Sequence, residues 1–180
     1  MKLDVYRKDL YVVDNVFTKD QCREIIAGCV FTRELTNKFG EKFTDLEMRN
    51  DRGAITRKTY NLLTKVRKVL PNATSLNPRV RVSKYSVGGR CAAHLDAQYR
   101  TSTHSVVVFL NTPTMGGELR FHHRRSHMDV TPLVGRMVIF SQELVHESCE
   151  VLAGLKYAMR TDVLMSKAIV RPSIPNERKD

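Results

Sequence analysis

Arg79-Val80-Arg81-Val82-Ser83-Lys84-Tyr85-Ser86-Val87-Gly88-Gly89-Arg90-Cys91-Ala92-Ala93-His94-Leu95-Asp96 is the stretch whose reading decides the fold. Its first seven residues alternate. On a strand, Arg81, Ser83 and Tyr85 share one face and Val80 and Val82 the other. Val87-Gly88-Gly89 then reads as a turn. A polar strand face that leads into His94-Leu95-Asp96 suits the inside of a barrel holding a charged small molecule.

Downstream, short strands recur at 104–111, 117–122, 128–131, 136–141 and 156–165. Turn signals separate them at Pro113, Gly116-Gly117, Pro132 with Gly135, and Gly154. Many short strands at regular spacing predict a sandwich or jelly-roll barrel. Upstream, Leu10–Val13 reads as a strand. Thr18-x-x-Gln21 is a capping box with Phe17 placed to staple over Cys22, which predicts a helix over 19–29. A second helix is expected over 58–70, with Leu62, Leu63, Val66, Val69 and Leu70 as its apolar stripe and Pro71 after it. Residues 32–53 are polar and basic. They read as a long loop or weak strands, and a loop of that length beside an enzyme core is often functional.

The fold class expected is therefore α+β, mainly β: a double-stranded β-helix, jelly-roll or cupin-like, buttressed by N-terminal helices. Residues 1–75 supply the N-terminal strand and supporting helices of the same domain, 76–166 the barrel, and 167–180 a polar tail.

With 180 residues, one domain with a substantial core is the simplest reading. The 30 Lys+Arg against 19 Asp+Glu leave a net charge of +11, which favours an acidic partner or substrate without choosing among them. Four cysteines without CxxC spacing fit free thiols. The N-terminus shows no apolar signal region, and the longest apolar run, Val106 to Leu110, is far too short for a bilayer. The expectation is a cytoplasmic protein with no membrane partner and an unspecified oligomeric state.

His94, Asp96 and, fifty residues later, His146 carry the chemistry. Two imidazoles and a carboxylate on one face of Fe(II) leave positions open for a co-substrate and O2. His-x-Asp alone is a weak signal; the strand and turn before it give it weight. Lys156 and Arg160 follow on an alternating strand that also presents Ala158 and Asp162. A cation there suits a dicarboxylate. Arg160 is read either as a carboxylate clamp or as the partner of Asp162 or another carboxylate. Tyr85 is read as a hydroxyl donor to the same ligand or as barrel packing. His122, His123, Arg124, Arg125 and His127 fit a solvated hairpin better than a second metal site, and His104 reads as structural.

The chain resembles the prolyl 4-hydroxylase branch of the Fe(II)/2-oxoglutarate dioxygenases over about residues 10–166. Tyr85-Ser86-Val87-Gly88 precedes His94-Leu95-Asp96 at that branch's spacing. Gly116-Gly117-Glu118-Leu119-Arg120-Phe121 resembles its Gly-Gly-Glu strand. Val130-x-Pro132-x-x-Gly135-x-x-Val138-x-Phe140 resembles the strand before the distal histidine, and Gly154-x-Lys156-Tyr157 follows His146-Glu147. Val12-Val13-Asp14-Asn15-Val16-Phe17 is similar to the family's lead-in. Two features depart from it: the missing secretory signal, and Arg160 where many relatives carry Thr or Ser.

The resemblance implies Fe(II) on His94, Asp96 and His146. It implies 2-oxoglutarate on Lys156, Arg160 and Tyr85, O2 as co-substrate, and ascorbate to keep iron reduced. It implies hydroxylation of a C–H bond, with a peptide or protein residue as acceptor and proline favoured. Arg49-Asn50-Asp51-Arg52 stands where relatives carry a substrate-side loop, so Arg49, Asn50 and Arg52 are candidate contacts. The competing functions are an oxygenase of nucleic acid or nucleotide, which the charge favours, and a basic binding module with a vestigial metal site.

Overall fold

The computed structural model describes residues 3–7, 9–31, 48–49, 52–96 and 102–165. Their strands are β1 (Leu3–Arg7), β2 (Leu10–Val13), β3 (Met48–Arg49), β4 (Arg52–Ile55), β5 (Ala73–Leu76), β6 (Arg81–Tyr85), β7 (Arg90–His94) and β8 (Ser102–Phe109). There follow β9 (Met115–Gly116), β10 (Leu119–His123), β11 (Ser126–Val130), β12 (Met137–Ser141), β13 (His146–Ser148), β14 (Val151–Ala153) and β15 (Lys156–Met165). The helices are α1 (Lys19–Ala27) and α2 (Leu62–Arg67).

The larger sheet runs β1-β2-β12-β8-β15-β6-β4, with β5 also on β15. The smaller runs β11-β10-β13-β7-β3, and β14-β9 form a ribbon. Central strands of the larger sheet are buried on both faces, which is why they read as near-continuous apolar runs. Val106, Val108, Met137, Ile139, Met159 and Val163 join Cys22, Ile25, Leu62 and Val66 in a core under the helices. Their alternates Val107, Phe109, Val138 and Phe140 join Leu119, Phe121 and Val130 in a second core between the sheets. Phe121 and Phe140 meet edge to face at 5.0 Å there. The two sheets face each other but are not joined into a closed barrel. The mainly β architecture with helices on one face is the one expected.

Both halves of the capping box form: Gln21 N–H donates to Thr18 Oγ1 and Thr18 N–H to Gln21 Oε1, each at 3.1 Å. The second helix is shorter than its stripe suggests. Tyr60 and Asn61 have φ of 42° and 58°, so the right-handed helix starts only at Leu62. Past Arg67 the chain leaves regular helix, yet Leu70 still reaches the core. Segments 32–47 and 166–180, which hold most of the expected loop and the expected tail, lie outside the described residues. The four cysteines are free thiols. Among the described residues no helix is long and apolar enough to cross a membrane.

Candidate metal centre and its cavity

β7 and β13 pair antiparallel, with His94 directly opposite His146. That register brings together two histidines fifty-two positions apart, their ring centroids separated by 4.4 Å. Asp96 lies just past the end of β7. His94 Nε2 is 3.5 Å from Asp96 Oδ1 and His146 Nε2 is 3.6 Å from Asp96 Oδ2. One ligand atom from each of the three residues falls within 4.8 Å of the others.

Both rings are oriented the same way. His94 Nδ1 lies 2.7 Å from the Ala92 carbonyl and His146 Nδ1 lies 2.9 Å from the Leu144 carbonyl. Each Nδ1–H donates to a backbone oxygen, so each Nε2 faces the Asp96 carboxylate, where loss of its proton would free a lone pair for a metal. The donor set and its orientation fit a facial two-histidine, one-carboxylate metal site.

Asp96 is also held by protein groups. Ser105 Oγ donates to Oδ2 at 2.5 Å, and Arg160 lies 2.7 Å from Oδ1. Burial alone raises its pKa, but His94, Arg160, His146 and Ser105 together outweigh burial and hold the carboxyl below its ordinary range. The Asp96 carboxylate, with Cys91 beside the ring, pushes His94 up to about 10. Burial pushes His146 down. Ser105 extends the network: Gln142, 1% exposed, donates to it at 3.5 Å and to Asp162 at 3.3 Å.

The centre opens onto a cavity of about 90 Å³ between the sheets. β6 contributes Arg81, Ser83 and Tyr85, the polar face seen in the sequence, and β15 contributes Lys156, Ala158 and Arg160. Lys156 is 2% exposed. Its Nζ donates to Ser148 Oγ at 2.6 Å and sits over the Tyr85 and Phe109 rings, 5.1 and 5.6 Å from their centroids. Among the described residues it forms no salt bridge, and burial pushes it down to about 8. Gly116 and Gly117 both adopt φ of 77°. A Cβ on Gly117 would stand 3.0 Å from Lys156 Cδ, so the glycine leaves room for the lysine stem.

The structure thus brings His94, Asp96, His146, Lys156, Arg160 and Tyr85 to one site. Arg160 sits on Asp96 and also lies 3.4 Å from Asp162, so its nearest described partners are the carboxylates weighed in the sequence. Arg49 pairs in register with Arg90 of the smaller sheet and Arg52 with Lys84 of the larger, so the chain crosses from one sheet to the other between them. Asn50 lies outside the described residues. The basic hairpin is solvated as expected: Arg124 takes a φ of 49° at its turn, and residues 123–127 are exposed. His104 is paired with Thr103 Oγ1 at 2.8 Å.

Ser105 and Ser148 were missed in the sequence. Each carried a periodicity signal. Ser105 shares a face with Val107 and Phe109 in an otherwise apolar strand, and Ser148 follows His146 by one strand period.

Residues 80–161 match the 2OG-Fe(II) oxygenase superfamily. Solved structures share the fold at low identity. A viral collagen prolyl hydroxylase from Paramecium bursaria Chlorella virus-1, in a 2-oxoglutarate complex, superposes with a TM-score of 0.68 at 17% identity, over 87% of this chain and 96% of that one. A Trichoplax adhaerens prolyl hydroxylase, in complex with a hypoxia-inducible-factor oxygen degradation domain peptide fragment, gives 0.67 at 17% identity, over 87% and 84%. A Pseudomonas putida prolyl-4-hydroxylase gives 0.61 at 16% identity, over 88% and 94%. No curated protein matches in sequence. The family match falls on the strands that build the cavity, so residues 80–161 form a 2OG-Fe(II) oxygenase domain, a 2-oxoglutarate-dependent dioxygenase in type, within a chain whose fold is prolyl 4-hydroxylase-like.

Proposed function

We propose that this dioxygenase hydroxylates a C–H bond of a peptide or protein residue, with proline favoured, releasing succinate and CO2. The observation that carries the reading is Lys156, a buried cation that forms no salt bridge among the described residues and lines the same cavity as His94 and His146. Burying an ammonium without a counter-charge is costly, and a ligand carboxylate offsets that cost.

His94, Asp96 and His146 would hold Fe(II). Iron and 2-oxoglutarate, when bound, supply with O2 the oxidising power for C–H cleavage. The protein's own groups do the rest. The Ala92 and Leu144 carbonyls fix the imidazole tautomers. Ser105 and Arg160 hold the carboxylate in place. Lys156, with Ser148 and Tyr85 beside it, receives the far carboxylate of 2-oxoglutarate, and Arg160 adds positive potential at the metal end. Val107, Phe109 and Leu119 give the cavity its apolar lining. Ascorbate maintains reduced iron. Arg49 and Arg52, on the strands either side of the crossing between the sheets, and Asn50 are the candidate substrate contacts. The enzyme works in the cytoplasm.

The acceptor rests on the fold and on a neighbour crystallised with a peptide fragment. The test is 2-oxoglutarate turnover with a panel of proline peptides and with single-stranded DNA and RNA, products being read by mass spectrometry. Oxygenated peptide from the wild type and none from Asp96→Ala supports the reading. An oxygenated oligonucleotide with no peptide product replaces the acceptor by nucleic acid, which the charge of +11 would then explain.

A further inference from the structure

Arg81 of β6 stands directly opposite Arg160 of β15, and both line the cavity. Like charges facing each other across two strands are destabilising, so the pair is costly without a counter-ion. The two guanidinium groups are not equally served. Arg160 has Asp96 at 2.7 Å and Asp162 at 3.4 Å. Among the described residues no hydrogen bond or ion pair reaches the Arg81 guanidinium. The carboxylate of Asp162 is already shared by Asn77 at 3.1 Å, Gln142 at 3.3 Å and Arg160. Burial, with Arg160 and Arg79 nearby, pushes Arg81 down, and the Asp162 and Tyr85 charges offset this only in part. Arg160 Nε, buried and without a partner, shows the same deficit of acceptors on this wall.

We propose that Arg81 is a specificity-determining residue: it binds a carboxylate of the acceptor, which is a peptide carrying an acidic side chain close to the residue oxidised. The inference rests on the peptidyl reading above and names the kind of peptide. In that reading Lys156 would take the far carboxylate of 2-oxoglutarate and a metal on His94, Asp96 and His146 its keto-acid end, which leaves Arg81 unassigned. What remains is one recessed guanidinium, whose planar fork suits a single carboxylate. A polyanionic strand would be met by a row of exposed cations rather than by one guanidinium in a cavity wall.

The experiment uses the full chain loaded with Zn(II) and 2-oxoglutarate, so that binding is read without turnover. Calorimetry compares proline peptides carrying Glu or Gln at the positions flanking the proline. The Glu peptide is expected to bind about tenfold tighter, the scale of one charge-assisted hydrogen bond. Arg81→Gln should erase that ratio and Arg81→Lys should retain part of it, while 2-oxoglutarate affinity stays unchanged. A Glu/Gln ratio surviving Arg81→Gln overturns the proposal. So does a loss of 2-oxoglutarate affinity in Arg81→Gln equal to that in Lys156→Ala, which would assign Arg81 to the co-substrate. A second readout separates this failure from failure of the peptidyl reading. Succinate and inorganic phosphate are titrated while the Arg81 Nε–H resonance is followed by NMR. If no peptide binds but succinate moves the resonance, the carboxylate site stands and the peptide acceptor falls. If neither anion moves it, the site itself falls; if an oligonucleotide binds and Arg81→Gln abolishes that binding, the acceptor is nucleic acid and the peptide proposal is overturned.

Discussion

At the Ser148 end of the cavity one ammonium, Lys156, is buried against a single hydroxyl; at the other end Asp96 is surrounded by two imidazoles, a guanidinium and a hydroxyl. The two positions on β15, Lys156 and Arg160, are four residues and about 13 Å apart along the strand. The contrast teaches what each end does without ligand. The Asp96 carboxylate is electrostatically compensated and pre-organised. The Lys156 end holds a buried ammonium that forms no salt bridge among the described residues.

The sharpest way to break that contrast is Asp96→Ala. It removes a candidate metal ligand and strips Arg160 of its nearest partner. Turnover should fall to background and the metal should be lost, read as succinate formation and as metal content after dialysis. Near wild-type succinate from this variant or from His146→Ala would remove the metal assignment.

At the opposite end, Lys156→Met should do two opposed things. The apparent KM for 2-oxoglutarate should rise a hundredfold or more, since breaking a buried pair costs about 3–5 kcal/mol. The ligand-free protein should become more stable at pH 7. Lys156 has its pKa lowered from 10.5 to about 8 in the folded chain. Between those values the unfolded chain binds more protons, so wild-type stability rises with pH through that window and the penalty is fully present below about 8. Removing the ammonium should recover up to about 3 kcal/mol at pH 7, measurable by urea unfolding. Unchanged stability with unchanged KM would mean that the cation is not the ligand's partner.

A smaller effect is expected from Ser105→Ala, which leaves Asp96 Oδ2 without its hydroxyl donor. Metal affinity and kcat should drop by about tenfold with KM for 2-oxoglutarate little changed, the scale of losing a group that orients a ligand. The least disruptive probe is Gly117→Ala. Its φ of 77° and the Lys156 stem 3.0 Å away predict a stability loss of about 1–2 kcal/mol and a few-fold rise in KM for 2-oxoglutarate. An equal fall in kcat at unchanged KM would place the strain at the metal end instead.

Strand β15 shows how far pattern reading reaches. Its bounds, 156–165, are those expected, because alternation and the upstream Gly154 agree. β2 was equally legible. β7 and β13 were not, although they carry the two histidines. Arg90–His94 is short and of mixed burial and His146–Ser148 is three polar residues with both ends buried, so neither presents an apolar period to count. Their strand character comes from pairing with each other. The start of α2 was lost for a related reason: the positive φ of Tyr60 and Asn61 is a local backbone choice that the apolar stripe does not report.

The sequence by itself determined the donor set, the mainly β class with helices on one side, and the polar face of β6, because residue type and a period of two are local properties. Only the tertiary structure decided how those donors are used. Arg160 turned toward Asp96 rather than standing free, Ser105 and Gln142 joined the carboxylate network, Lys156 was set against Ser148 and two aromatic rings with no described salt bridge, and Arg81 was set across from Arg160 with no described ion pair. Those outcomes depend on cross-strand register and on which sheet faces which. Both come from pairing residues far apart in the chain, and no local pattern encodes them.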